Sequence, residues 1–213
     1  METSRRLASY LLQSKAIIID PANPFTWASG WRSPIYCDNR KTLSYPEIRT
    51  FIRDSFTQLV RDRFDRPDTI AGVATGAIAH AALVADQMGL PLLYVRTARK
   101  NHGLENRIEG DVNTATRVVV VEDLVSTGRS SLDAVSVLQE AGLEVLGMIA
   151  VFTYDFPLAS DNFRKAGIPL YSLGNYGDLI EEAAGTGTIR KEDLEALRTW
   201  RKNPSAWNPD KPL

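Results

Sequence analysis

The chain has 213 residues, 44% of them hydrophobic, which is enough for a substantial core and too few for two large domains. Its 25 basic and 26 acidic residues give a net charge near −1, so the composition predicts neither a nucleic-acid partner nor a membrane partner. No apolar run approaches the roughly 18 residues of a membrane span, and the first residues do not read as an export signal. The one cysteine, Cys37, excludes internal disulfides, and we expect a cytoplasmic protein.

The N-terminal segment predicts two helices separated by an irregular stretch. Apolar residues at helical spacing indicate an amphipathic helix over residues 3–15. A short strand-like stretch follows at residues 33–40, where Pro34 opens it. Pro46 then begins a second helix that is predicted to run to about residue 64. On the predicted strand, Cys37 is interpreted as a buried thiol, although a nucleophilic role stays an alternative.

From residue 68 the pattern changes to short apolar runs that alternate with amphipathic segments. The predicted strands are TIAGVA (69–74), LPLLYVR (90–96), RVVVVED (117–123), VLGMIAVFTY (145–154) and IPLYSL (168–173). Continuous apolar runs such as Val118 to Val121 are typical of strands that helices cover on both faces. The predicted fold is therefore an α/β doubly wound parallel sheet.

We expect one domain spanning residues 1–213. Within it, residues 1–66 are predicted to form an N-terminal hood, residues 67–175 the core sheet, and residues 176–213 C-terminal helices and a tail. Trp200 and Trp207 are expected to hold the tail against the body. Ligands of such sheets bind at the carboxyl ends of the strands, where the polar loops of this sequence also fall.

The segment VVVVEDLVSTGRSS (118–131) combines a strand, an acidic pair, a turn and a helix start. Backbone N–H groups at the start of a helix lack intrahelical partners and bind phosphate without any net basic charge. Gly128 allows the backbone to approach an anion closely, and a helix is expected to begin near Arg129 or Ser130. A strand followed by a purely structural Ser/Thr-Gly turn is the alternative. The patterns of P-loop and dinucleotide sites are absent from the sequence.

This segment resembles the phosphoribosyl pyrophosphate (PRPP) signature of type I phosphoribosyltransferases. The resemblance implies that Glu122 and Asp123 hold the ribose hydroxyls, that residues 126–130 hold the 5-phosphate, and that Asp123 is also catalytic. The PRPP-binding residues that it implies are Glu122, Asp123, Leu124, Val125, Ser126, Thr127, Gly128, Arg129 and Ser130.

Further segments resemble orotate phosphoribosyltransferases in particular. YVRTARKNHGLENRIEG (94–110) is similar to their mobile catalytic loop, which implies PRPP contacts from Arg96, Lys100 and His102, the last two also catalytic. Cations over the departing pyrophosphate would stabilise its developing negative charge. A solvated charged turn is the alternative for this loop.

Two other segments extend the resemblance. FTWASGWRSPIYCDNR (25–40) is similar to the family's amino-terminal signature. GVATGAIAHAALVA (72–85) is similar to its pyrophosphate loop, with Thr75 and Gly76 as PRPP-binding residues and a bare helix cap as the alternative. His80 is expected to be a packed or capping side chain.

The sequence also departs from the family. Ala28 and Thr97 stand where some members have lysine, and FTYDFP (152–157) stands where those members have an arginine near the orotate carboxylate. We therefore expect orotate recognition from Ser126, Arg32 and Tyr36.

Taken together, the resemblance implies an orotate phosphoribosyltransferase that makes orotidine 5'-monophosphate and pyrophosphate from orotate and PRPP in pyrimidine synthesis. It further implies Mg²⁺ held mainly by PRPP rather than by a dedicated metal site, and a homodimer. The alternatives are a phosphoribosyltransferase for another base, such as a purine, and a non-catalytic PRPP-sensing regulator.

Overall fold

The computed structural model describes residues 2–27, 29–96 and 107–207. Its α-helices are α1 (Glu2–Gln13), α2 (Pro46–Arg63), α3 (Ile78–Met88), α4 (Arg129–Glu140), α5 (Pro157–Ala166), α6 (Tyr176–Gly185) and α7 (Asp193–Lys202). Short 3-10 helices occur at Asn39–Ser44 and Val112–Thr114. The strands are β1 (Ile17–Ile19), β2 (Phe25–Thr26), β3 (Arg32–Ser33), β4 (Ile35–Cys37), β5 (Thr69–Val73), β6 (Leu92–Val95), β7 (Ile108–Glu109), β8 (Arg117–Val125), β9 (Glu144–Thr153) and β10 (Leu170–Asn175).

Six strands form the central sheet, in the order β10-β9-β8-β5-β6-β7. All neighbouring pairs are parallel except β6 and β7, which are antiparallel. The five strands predicted from the apolar runs are all present, and β7 adds an edge strand that the sequence did not reveal. The predicted α/β class with a central, mostly parallel sheet is confirmed.

The centre of β8 explains why the sheet is buried on both sides. Val119 and Val121 belong to an apolar cluster with α1, α2, α3, α6 and α7, whereas Val118 and Val120 belong to a second cluster with α4 and α5. None of these four valines is exposed to solvent. A strand that is apolar at every position is therefore required, because both of its faces are covered by helices.

The N-terminal segment adds two small antiparallel pairs, β1 with β4 and β2 with β3. The C-terminal helix α7 holds β3 in place, because the fully buried indole of Trp200 donates a 3.2 Å hydrogen bond to the carbonyl of Arg32. Trp207 also packs against the larger core cluster, as predicted. Within the described ranges, no helix has both the length and the apolar character needed to cross a membrane.

Candidate active site

The site lies where β5 and β8, adjacent parallel strands, both end. Residues 74–77 follow β5, and their loop contains the cis Ala74–Thr75 peptide bond. Gly76 lies against the carboxylate of Asp123, so closely that a Cβ at this position would overlap its oxygens. The predicted pyrophosphate loop and the predicted ribose-binding acid are therefore in contact.

The turn after β8 has the geometry of an anion site at a helix start. Gly128 has φ +78° and immediately precedes α4, where a Cβ would lie 2.8 Å from the ring of Phe163. The side chain of Asn162 on α5 donates a 3.0 Å hydrogen bond to the carbonyl of Thr127. Helix α5 thus supports the turn from behind. The first amides of α4, from Arg129 onward, have no partner within their own helix, and amides in this position are suited to bind phosphate.

The two acids of the motif have different surroundings. Glu122 is 4% exposed, and its carboxylate accepts hydrogen bonds from the Ser131 hydroxyl (2.9 Å) and from the Asp123 amide (3.0 Å). Burial, with a contribution from the neighbouring Asp123 charge, raises the pKa of Glu122 well above its ordinary value. Asp123 is half-buried, and its carbonyl accepts a 2.6 Å hydrogen bond from Asn39. Glu122 therefore faces α4, while Asp123 faces the loop after β5.

Arg96 directly follows β6 and contacts both β7 and the residue before it. Its amide donates to the carbonyl of Arg107 (2.8 Å), and its guanidinium lies 3.4 Å from the Glu109 carboxylate. The guanidinium of Arg107 donates back to the carbonyl of Arg96 (2.9 Å) and forms an ion pair with Asp133 on α4. Lys100 and His102, the predicted catalytic cations, lie outside the described residues, as do Thr97 and Ala28.

A cleft of about 380 Å³ adjoins the end of β8. Its lining residues are Thr26, Trp27, Tyr36, Cys37, Leu124, Ser126 and Tyr154. Two of the residues predicted to bind orotate, Tyr36 and Ser126, therefore meet in one cleft. Arg32, the third, is exposed on β3, and the described lining of the cleft does not include it.

Several side chains at the site were not predicted. Trp27 lines the cleft, and its indole donates a 3.1 Å hydrogen bond to the carbonyl of Ile35. Tyr154 lies in the FTYDFP segment, whose departure from the family pattern was the available signal. Cys37 is on a strand, as predicted, and burial raises the pKa of its thiol, which donates to the side-chain oxygen of Asn39 (3.3 Å).

Two remaining predictions concern a histidine and a metal. His80 is 1% exposed on α3, which confirms that it is a packed side chain. Among residues 2–27, 29–96 and 107–207, no three His, Cys, Asp or Glu side chains cluster closely enough to hold a metal ion. Phosphoribosyltransferases of this kind are generally Mg²⁺-dependent.

A mostly parallel sheet whose neighbouring strands end in a glycine loop and in an acidic pair with a glycine turn at a helix start is typical of phosphoribosyltransferases of the type I class. The family described as "Phosphoribosyl transferase domain" matches residues 43–155. The chain is 54% identical over 207 residues to the orotate phosphoribosyltransferase of Bacteroides thetaiotaomicron, covering 97% of this chain and 98% of that relative. It is 49% identical to the Bacillus subtilis orotate phosphoribosyltransferase, covering 94% of this chain and 93% of that one. The chain belongs to the orotate phosphoribosyltransferase family.

A solved structure has the same fold. The crystal structure of orotate phosphoribosyltransferase from Aeropyrum pernix aligns with a TM-score of 0.75 at 29% identity, covering 84% of this chain and 98% of that one.

Proposed function

We propose that this chain transfers the phosphoribosyl group of PRPP to orotate, giving orotidine 5'-monophosphate and pyrophosphate. One observation supports this most directly: the cleft and the predicted PRPP site share the end of β8. Leu124 and Ser126 line the cleft, while Asp123, in the same segment, lies against Gly76 of the loop after β5. A base in the cleft would therefore lie beside a ribose held by Asp123, as transfer between the two requires.

PRPP binding is assigned to three groups of residues along this edge. Backbone amides near Thr75 and Gly76 bind the pyrophosphate, Asp123 accepts hydrogen bonds from the ribose hydroxyls, and residues 126–130 bind the 5-phosphate at the start of α4. Glu122 completes the ribose site from its buried position. The Ser131 hydroxyl and the Asp123 amide both donate hydrogen bonds to the Glu122 carboxylate, which orients this side chain and fixes the main chain beside it.

The departure of pyrophosphate explains why cationic side chains are needed at this site. Loss of pyrophosphate leaves positive, oxocarbenium-like character on the sugar and builds negative charge on the leaving group, so cations near that group stabilise the transition state. Arg96 supplies one of them, with a guanidinium suited to bidentate contact with phosphate oxygens. Lys100 and His102 are proposed as the others. His102 can also give a proton to the departing pyrophosphate near neutral pH.

The donor set fits a Mg²⁺ that is held mainly by its substrate. Mg²⁺ prefers oxygen ligands and usually keeps several waters, so one or two carboxylates and the oxygens of PRPP suffice. Asp123 and Glu122 are the acids at this edge, and they would hold the ion through PRPP hydroxyls or through water. When bound, Mg²⁺ neutralises charge on the pyrophosphate.

Three further expectations belong to this proposal. The protein forms a homodimer, which light scattering at several concentrations would test. It acts in the cytoplasm, in pyrimidine synthesis. Residues 1–66 act as a hood over the core of residues 67–175, with residues 176–213 as the C-terminal part of the same domain. The contribution of Thr26, Trp27 and Tyr36 to the cleft supports the role of the hood.

The test offers purified protein PRPP and Mg²⁺ with orotate, uracil, adenine or hypoxanthine in turn, and follows pyrophosphate release. We expect turnover with orotate. Turnover of a purine without orotate would establish the other-base alternative, and absence of turnover with every base would favour the PRPP-sensing regulator. Asp123→Asn should lower kcat/KM by roughly 100-fold. The matched control is Asp161→Asn, because Asp161 is an exposed acid on α5 whose partner is Arg164.

A further inference from the structure

Tyr154 is almost completely buried at the wall of the cleft. It follows β9 and is 2% exposed. Its ring stacks on Phe156, with centroids 5.3 Å apart and planes 11° from parallel. Trp27 lies 5.0 Å from it and Trp200 5.9 Å. Because aromatic rings enclose its own ring, the hydroxyl end is the part of Tyr154 that is left to meet the cleft.

The hydroxyl of Tyr154 is a donor without an acceptor. Within the part of the chain that the structure describes, no hydrogen bond involves this hydroxyl. Buried tyrosine hydroxyls usually have a partner, as Tyr176 does in the same aromatic cluster, where its hydroxyl donates to the Leu197 carbonyl (3.0 Å). Burial raises the pKa of Tyr154 well above its ordinary value, with smaller contributions from Cys37, Tyr176 and Tyr36. The group therefore keeps its proton at neutral pH.

The other residues of the cleft indicate which kind of ligand atom the Tyr154 hydroxyl would meet. Among residues 2–27, 29–96 and 107–207, those that line the cleft are all uncharged, so polar contacts from their side chains depend mainly on hydroxyl groups. The thiol of Cys37 is already donated to Asn39. A pyrimidine base presents carbonyl oxygens, and orotate adds a carboxylate, so the ligand of the proposed function is rich in acceptors.

We propose that the Tyr154 hydroxyl donates a hydrogen bond to an oxygen of the pyrimidine base, which makes Tyr154 a specificity-determining residue; this inference rests on the proposed function. A ligand oxygen that is buried against this hydroxyl would be costly to leave unpaired. A ligand without the matching oxygen leaves the tyrosine unpaired as well.

The test is Tyr154→Phe, which removes one oxygen and keeps the ring in its aromatic cluster. We expect the KM for orotate to rise roughly 10- to 100-fold, because a single hydrogen bond to a carbonyl or carboxylate is lost. The KM for PRPP should stay unchanged. Tyr176→Phe is the matched control: it removes the hydroxyl of a second buried tyrosine in the same cluster, one that does not line the cleft. Its two KM values should equal those of the wild type.

Equilibrium binding of the nucleotides identifies the oxygen. Weaker binding of orotidine 5'-monophosphate alone assigns the contact to the carboxylate, and equally weaker binding of uridine 5'-monophosphate assigns it to a ring carbonyl. Unchanged binding of both, with an unchanged KM for orotate, overturns the inference while wild-type turnover upholds the proposed function. A wild-type enzyme that does not use orotate overturns both.

Discussion

The buried histidine of α3 makes the stability of this protein depend on pH. His80 is 1% exposed, and neither of its ring nitrogens has a hydrogen-bond partner among the described residues. Burial lowers its pKa from 6.5 to about 4. Between these two values the unfolded chain binds a proton that the native protein excludes. The free energy of unfolding is therefore unaffected by this histidine's titration above pH 6.5, and it decreases as the pH falls from 6.5 towards 4.

The size of this effect follows from the shift. Each pH unit within the window costs about 1.4 kcal/mol, so the native state loses roughly 3 kcal/mol over the whole of it. His80→Leu removes the titrating group and its two unpaired nitrogens. We expect the variant to be at least as stable as the wild type at pH 7.5, and its advantage to grow as the pH falls.

Urea denaturation at intervals from pH 7.5 to 4.5 measures this difference. His102→Leu is the matched control, because His102 is the second of the chain's two histidines. A stability difference between His80→Leu and wild type that does not change with pH would refute the assignment of a depressed pKa to His80. So would an equal change in the control.

Two further predictions concern the candidate site. Gly76→Ala should weaken PRPP binding roughly 100-fold in calorimetry, because the new methyl group displaces the Asp123 carboxylate. Gly185→Ala, which meets nothing within 4 Å, should bind normally. Arg107→Ala should raise the KM for PRPP, because it releases the main chain of Arg96. The same substitution should add little in an Arg96→Ala background, because Arg107 acts through the position of the Arg96 guanidinium.

The matched control for Arg107 is Arg117→Ala. Arg117 also joins a main-chain carbonyl, that of Asp65 (2.6 Å), to a carboxylate, that of Glu144 (3.2 Å). It does so at the beginning of β8, the opposite end of the strand from the site. A KM for PRPP that rises equally in both variants would mean that Arg107 acts through general stability. Full additivity with Arg96→Ala would contradict its role as a positioning residue.

The sheet was predictable because its signal is local. Each of the valines at 118–121 is buried against one layer of helices or the other, so an uninterrupted apolar run encodes both the strand and its coverage. Gly128 at φ +78° and the start of α4 at Arg129 agree with the predicted turn for the same reason. Both follow from residues that are adjacent in the chain.

The cleft was only partly predictable because it depends on contacts between distant segments. Four of its residues come from the N-terminal segment, Leu124 and Ser126 from the end of β8 and the turn after it, and Tyr154 from the position directly after β9. No period or spacing connects these positions. The different surroundings of Glu122 and Asp123 are equally invisible in sequence, because they depend on Ser131 and Gly76 as neighbours.

The distribution of the site over these segments bears on how base specificity arises. The groups proposed for the ribose and the 5-phosphate, and the amides proposed for the pyrophosphate, lie at the ends of β5 and β8 or directly after them, so two adjacent strands fix their relative positions, whereas Arg96 follows β6. The cleft shares β8 with them, but its other walls come from the N-terminal segment and from Tyr154. Substitutions in those walls can therefore change which base is bound without moving Asp123 or the phosphate turn. This division is consistent with an acidic pair and a glycine turn that indicate phosphoribosyl transfer, whereas we propose that the choice of orotate depends on residues such as Tyr36 and Tyr154.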